Sequence, residues 1–172
     1  NALFLVECLK LIQMGQDSEK LSPRLQNVLN ARMAHFSTKS QKVLEVASIF
    51  FREATYDALA IVCGFNQLEL VEAIEEILQS KLMVEISSME IRGLGYKFSH
   101  ALIRDYIYSK MSLSRQKMIH LRIGSYLEER MSTDYKGRDL YSALLYHYSK
   151  AGEKYKELEY TIKITEKFSS PY

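Results

Sequence analysis

The chain has 172 residues, of which 47% are hydrophobic and 26% are charged, and its formal net charge is +2. This balance is ordinary for a folded globular protein and argues against disorder, and the near-neutral charge implies neither nucleic acid nor a membrane surface as a partner. The two cysteines, Cys8 and Cys63, are too few for a disulfide scaffold, and the apolar runs are too short to span a bilayer. We therefore expect a cytoplasmic protein that is not bound to a membrane.

Helical periodicity dominates the first half of the chain. One helix is predicted over residues 2–14, and a second begins at Ser22-Pro23. Ser37 or Thr38 is suited to cap a third helix, and a short fourth helix is predicted from residue 55 to 63, before Gly64. Asn66 is predicted to cap a fifth helix with a regular apolar face. Only seven glycines and two prolines interrupt the chain, which favours long helices.

The periodicity then changes to that of a strand. Leu82, Val84 and Ile86 alternate with polar or flexible side chains, and a bend with Gly93 and Gly95 precedes a second short strand over residues 96–98. Three helices followed by a two-stranded hairpin is the element order of a winged helix.

The second half returns to helical periodicity. Ser99 is predicted to cap a helix over residues 101–110, and Ser112 is predicted to cap a long helix that ends near residue 131. Two further helices, over residues 139–151 and 153–168, are separated only by the Ala151-Gly152 turn, so they are predicted to form an antiparallel hairpin. Tyrosines are frequent in this hairpin, at positions 141, 146, 148, 155 and 160.

No catalytic or metal-binding motif is recognised. The chain has neither a glycine-rich phosphate loop ending in Lys-Ser or Lys-Thr nor an HExxH motif. The four histidines, at positions 35, 100, 120 and 147, lack the number and spacing of a metal site. We therefore predict no metal, no cofactor in this chain and no enzymatic activity of its own, and we interpret His120 and His147 as packing residues.

Residues 96–108 read YKFSHALIRDYIY, and this segment resembles the end of the winged helix in STAND-class signal-transduction ATPases, which include LuxR-like and maltose-regulon-activator-like regulators. Bacterial members often have F-x-H-x-L-I-R-x-x-x-Y at this position. The run from Asn1 to Leu5 is similar to the G-N-P-L-F-L that closes their ATPase core. Arg115 with His120 matches R-x-x-x-x-H, and H-Y-x-x-A-G occurs at residues 147–152, at the start of a tetratricopeptide-like array. The resemblance covers nearly the whole chain.

The resemblance implies a role for His100. In the plant resistance proteins of this class, the corresponding histidine contacts the β-phosphate of ADP and holds the protein inactive. An imidazole at a helix start can donate a hydrogen bond to phosphate. The sequence departs from the family pattern at Ala101, where an acid is usual, and at Ala2, where a proline is usual. The alternative is that His100 caps or packs the corner between strand and helix.

Charge distinguishes this chain from a DNA-binding winged helix. The helix before the hairpin carries Glu69, Glu72, Glu75 and Glu76 and no basic residue before Lys81, so it would repel phosphate. A candidate basic contact surface lies between residues 92 and 122 and comprises Arg92, Lys97, Arg104, Arg115 and Arg122. We interpret it as a solvated face or as a surface that meets an ATPase core, and we expect no direct DNA binding.

We therefore predict a mainly α fold, in which a winged-helix module with one small β-hairpin precedes antiparallel, tetratricopeptide-like helical hairpins. Residues 1–36 would form a helical lead-in from an ATPase core, residues 37–110 the winged helix, and residues 111–172 the first repeats. The predicted function is that of a non-catalytic regulatory part of a longer STAND-type ATPase, a transcriptional regulator that binds ATP or ADP. The partners would be the upstream core and the downstream repeats, and the exposed edge of the array is a candidate for self-association. The alternatives are a DNA-binding domain and an interaction scaffold.

Overall fold

The computed structural model of the chain describes residues 23–50, 53–88, 93–131 and 138–169. The helices of these segments are α1 (Pro23–His35), α2 (Thr38–Ile49), α3 (Tyr56–Cys63), α4 (Gln67–Ser80), α5 (Ala101–Lys110), α6 (Leu113–Met131), α7 (Arg138–Ala151) and α8 (Lys154–Ser169). The strands are β1 (Ala54–Thr55), β2 (Met83–Ser88) and β3 (Gly93–Phe98). The prediction of a mainly helical protein is confirmed, whereas the helix predicted over residues 2–14 lies outside the described segments.

The sheet has three antiparallel strands, one more than the predicted hairpin. Strand β3 lies in the middle, with β2 on one side and β1 on the other. In the hairpin, Met83 faces Phe98, and at the other edge Ala54 faces Tyr96. Strand β1 has only two residues, so it is too short to produce a recognisable alternation and is defined by its partner in β3.

Side-chain caps set the ends of several helices, as the sequence predicts. Asn66 and Glu69 form a reciprocal capping box at the start of α4, in which each side chain binds the other residue's backbone N–H. Ser37 caps α2 through the backbone N–H of Ser40, and the Ser112 hydroxyl accepts a hydrogen bond from the Arg115 backbone N–H. These bonds satisfy donors that would otherwise have no partner within the helix.

The predicted capping role of Ser99 is wrong. His100, not Ser99, is the N-cap residue of α5. The Ser99 hydroxyl instead donates a hydrogen bond to the Leu82 carbonyl, 3.1 Å away, and its backbone N–H donates to the same oxygen. Ser99 therefore extends the attachment of β3 to the start of β2, and the helix begins one residue later.

The larger hydrophobic core extends from α1 to α6. It includes Leu29 from α1, Leu44 from α2, Leu59 from α3, Ile103 from α5 and Ile123 from α6, each at most 1% exposed. A second, smaller cluster joins α7 and α8 through four buried side chains, which are Leu140, Leu144, Tyr148 and Tyr160. Leu127 of α6 packs against both clusters.

The core is thus continuous across residues 36 and 110, where the sequence predicts domain boundaries. Those domain boundaries stay predictions, because a hydrophobic core that spans them neither supports nor excludes them. In the described part of the chain, no helix combines the length and apolar character that a membrane span requires.

Candidate functional site

His100 lies at the corner where β3 gives way to α5. Its backbone is extended, with φ −146° and ψ 134°, and its carbonyl accepts hydrogen bonds from the backbone N–H groups of Ile103 and Arg104. Its half-buried side chain makes no capping hydrogen bond, so the structure does not support a role as a side-chain cap. The imidazole therefore lies beside the first turn of α5 without satisfying any of its backbone donors.

Most other residues of the 96–108 segment have structural contacts. Ile103 is buried in the larger core, and Phe98 and Leu102 pack against it. The Tyr108 hydroxyl lies 3.3 Å from Nε2 of His120 on α6. The motif that suggested the family resemblance thus attaches α5 to the rest of the protein, and His100 is its polar member at the helix start.

The structure places the predicted basic residues in different environments. Arg115 forms an ion pair with Glu45 of α2, with 2.5 Å between Nη2 and Oε2. Arg122 donates a hydrogen bond to the Val62 carbonyl at the end of α3, 3.1 Å away. These two side chains tie α6 to neighbouring helices.

The other described members of the predicted surface are Arg104 and Lys97. Arg104 pairs with its neighbour Asp105, with 2.7 Å between Nη2 and Oδ1. Lys97 is exposed on β3, and Arg92 lies outside the described residues. The role of this group as a contact surface stays a prediction.

Of the four glutamates on the acidic helix α4, two make contacts within the protein and two face solvent. Hydrogen bonds from the Asn66 backbone and the Lys39 side chain lower the pKa of Glu69. The Ser40 hydroxyl, which donates a very short hydrogen bond to Glu76, lowers the pKa of that carboxyl. Glu72 and Glu75 are exposed. The solvent-facing side of α4 is therefore negative, as the sequence analysis expects.

Two histidines that lie 27 residues apart meet in the interface between α6 and α7. His120 and His147 are buried, and their Nδ1 atoms are 3.0 Å apart. The ring of Tyr146 contacts both imidazoles edge-on, with centroid distances of 5.6 and 5.2 Å. The interpretation of both histidines as packing residues agrees with their burial, but their direct contact gives no signal in the sequence, because they belong to separate helices.

A cluster around Glu128 joins α6 to the terminal hairpin. Its carboxylate accepts hydrogen bonds from the Tyr148 hydroxyl at 2.5 Å, the Tyr160 hydroxyl at 2.7 Å and the Lys156 ammonium at 2.6 Å. Burial opposes ionisation of Glu128, but these three donors outweigh it and lower its pKa to about 2. Gly124, one turn earlier, leaves room for the Tyr148 ring, since a Cβ there would lie 3.0 Å from that ring. We call these residues the Glu128 cluster.

The surface of the hairpin has a shallow cleft and an apolar face. The cleft, of about 380 Å³, lies between α7 and α8 and includes Tyr146, Lys150 and Glu157 in its lining. Tyr155, Leu158 and Ile162 follow each other at helical spacing on α8 and are 92%, 60% and 46% exposed. The apolar edge expected of a helical hairpin is therefore present on α8.

Cys63 is buried, and burial raises the pKa of its thiol to about 12, which disfavours the nucleophilic thiolate at neutral pH. Within the described segments, no three or more His, Cys, Asp or Glu side chains are grouped so that they could hold a metal ion.

Comparisons with protein-family models, with curated proteins and with solved structures found no match to this chain.

Proposed function

We propose that this chain is a non-catalytic regulatory region of a STAND-type ATPase, in which a winged helix passes the nucleotide state of an ATPase core to tetratricopeptide-like repeats. The longer protein would be a transcriptional regulator of the LuxR-like or maltose-regulon-activator-like kind. In this proposal ATP or ADP is held mainly by the core, since the present sequence has no phosphate loop.

The topology of the sheet is the observation that supports this proposal most. The elements from α2 to β3 follow the order helix, strand, helix, helix, strand, strand, and the last strand lies between the other two. This is the arrangement expected of a winged helix, and it includes a first strand that the sequence does not reveal. The following helices pack in chain order, α6 against α7 and α7 against α8, as expected of helical repeats.

The position of His100 supports its proposed role as a nucleotide sensor. The residue lies two positions after the end of β3 and directly precedes α5, and its side chain makes no capping hydrogen bond. An imidazole N–H there would donate to a phosphate oxygen, and the positive end of the helix dipole would favour the anion. In this proposal His100 would supply one contact to such a phosphate, and the remainder of the pocket would come from the core.

Nucleotide retention by the intact protein tests the proposal. We expect His100→Ala to weaken ADP retention by about tenfold, which corresponds to the loss of one charge-assisted hydrogen bond. His35→Ala is the matched control, because His35 is exposed at the end of α1. Equal ADP affinity in the wild type and His100→Ala would exclude the sensor role. An intact sequence without a phosphate-loop lysine upstream of this region would exclude the whole class.

An interaction scaffold is the second candidate, and the exposed face of α8 favours it. Tyr155, Leu158 and Ile162 form a contiguous apolar stripe of the kind that partner helices cover.

DNA binding is disfavoured by the exposed carboxylates of Glu72 and Glu75 on α4. A gel-shift experiment at moderate salt tests the DNA-binding alternative. Tight and salt-sensitive binding to duplex DNA would contradict our assignment.

A further inference from the structure

The contact between His120 and His147 joins two helices at a buried point. The side chains are 1% and 6% exposed, and one Nδ1 lies 3.0 Å from the other. The Tyr108 hydroxyl of α5 lies 3.3 Å from Nε2 of His120, on the opposite side of the same ring. Helices α5, α6 and α7 therefore meet at two imidazoles and the Tyr108 phenol, with the Tyr146 ring beside them. We call His120 and His147 the histidine pair.

The geometry restricts the protons that the histidine pair can carry. A hydrogen bond between two Nδ1 atoms requires a proton on one nitrogen and a lone pair on the other, which two neutral rings in opposite tautomers provide. One additional proton places a positive charge where little water reaches. A second would direct two N–H groups at each other across 3.0 Å. The contact is thus compatible with neutral rings and incompatible with two charged ones.

Four polar groups near the pair offer no negative charge that would balance a proton on it. The Lys150 ammonium of α7 acts against protonation of His120. Burial raises the pKa of Tyr108 and of Tyr146, so both phenols stay neutral, and Arg104 of α5 adds a further cation near Tyr146. None of these four groups is an anion at neutral pH.

We propose that the histidine pair is an acid-sensitive contact that holds the α7–α8 hairpin against α6, and that its protonation releases the hairpin. Release exposes imidazoles that ionise normally, near pH 6.5. In the packed state, burial lowers the pKa of His120 to about 4 and that of His147 to about 3. The released form therefore binds more protons from about pH 6.5 downward, and release becomes more favourable as the pH falls. At pH 5, each ring that becomes exposed contributes roughly a 30-fold increase in the release equilibrium.

Amide hydrogen exchange at two pH values measures this release in the 172-residue chain. We expect the protection factors of amides in α7 and α8, corrected for intrinsic exchange, to fall at least tenfold between pH 7.5 and pH 5.0. Those of α2, whose buried apolar side chains belong to the larger core, serve as the internal reference and should change much less. In the double variant His120→Gln and His147→Gln, which retains polar side chains but cannot be protonated in this range, the fall in α7 and α8 should shrink to less than about threefold.

Two results would overturn the proposal. One is unchanged protection of α7 and α8 in the wild type at pH 5.0, and the other is an equal fall in the double variant. If the variant does not fold, a proton NMR titration of the wild type decides. Midpoints below pH 5 for the Cε1 protons of both histidines are expected, whereas midpoints near 6.5 would show that the pair does not resist protonation in the packed state.

Discussion

Glu128 connects α6 to both helices of the terminal hairpin. Its two carboxylate oxygens accept from donors on α7 and α8, and the two tyrosine rings that supply the hydroxyls are stacked, with centroids 5.8 Å apart and planes tilted by 7°. Burial and the carboxylate raise the pKa values of Tyr148 and Tyr160, so both stay hydrogen-bond donors. A single ionised side chain thus organises three helices.

We expect Glu128→Gln to lower the free energy of unfolding at pH 7 by about 2–3 kcal/mol. The amide keeps the shape of the side chain. Its NH₂ group is a donor, however, and it replaces a carboxylate oxygen that accepts hydrogen bonds from the tyrosine hydroxyls or the Lys156 ammonium. Tyr160→Phe removes only one of the three hydrogen bonds and should cost about 1 kcal/mol. Urea unfolding followed by circular dichroism measures both variants.

The pH dependence of the destabilisation caused by Glu128→Gln provides a control for this prediction. The pKa of Glu128 is lowered in the folded state, so its stabilisation is complete above about pH 4.5 and disappears as the pH falls towards 2. The gap in stability between the wild type and Glu128→Gln should therefore narrow in acid. A gap of the same size at pH 7 and pH 3 would mean that the charge of Glu128 is not what stabilises the hairpin.

Single residues were predicted unequally well from the sequence. His100 could be singled out because its motif is local, lying within a few residues of the strand end. The meeting of His120 with His147, and of Glu128 with Tyr148 and Tyr160, depends on how separate helices pack. A single sequence has no periodicity that reports such pairs, so the site that the structure adds was not predictable in this way.

Helix α4 shows how local chemistry defines an element. The Asn66 side chain accepts from the Glu69 backbone N–H at 3.0 Å, and the Glu69 carboxylate accepts from the Asn66 backbone N–H at 3.1 Å. Lys81, with φ 60°, ends the helix in a left-handed conformation. Lys39 of α2 forms an ion pair with Glu69, which connects the cap to the neighbouring helix.

We expect Asn66→Ala to lower the free energy of unfolding by about 1 kcal/mol, because the first turn of α4 loses its side-chain acceptor. Gln79→Ala is the matched control, since Gln79 is exposed near the other end of the same helix and its replacement should change stability by less than about 0.5 kcal/mol. Thermal unfolding of the three proteins makes the comparison. Equal destabilisation by both substitutions would argue against a specific contribution of the capping box.

Within the described residues, three of the four serine or asparagine caps that the sequence predicts agree with the structure, whereas the cap at Ser99 does not and the short strand β1 was not predicted. The caps at Ser37, Asn66 and Ser112 agree with the structure because each bond closes within three residues. Strand β1 was missed because two residues cannot alternate detectably. Ser99 was misassigned because it follows a strand as well as preceding a helix, and its hydroxyl binds across the sheet to Leu82.

At the scale of the whole molecule, α6 belongs to both hydrophobic clusters. Its buried face supplies Ile119, Ile123 and Tyr126 to the larger core, and Leu127 also contacts the smaller cluster of α7 and α8. Arg115 and Arg122 strengthen its attachment to α2 and α3. The hairpin, by contrast, contributes its own four buried side chains to the smaller cluster. This asymmetry predicts that the hairpin unfolds before the larger core.

Two substitutions of a buried residue by alanine compare the stability of the α7–α8 hairpin with that of the larger core. Leu144 and Ile123 are both fully buried, so each change to Ala should cost about 2–4 kcal/mol of local stability. In native-state hydrogen exchange, Leu144→Ala should lower protection mainly in α7 and α8, because its cavity lies in the smaller cluster. Ile123→Ala should lower protection from α1 to α6 and in the hairpin as well, since the hairpin packs on α6. Leu158→Ala, at a 60% exposed position on α8, is the control and should leave both regions nearly unchanged. If Leu144→Ala lowers protection equally in α2 and α7, the chain unfolds as one cooperative unit and the hairpin cannot be released separately.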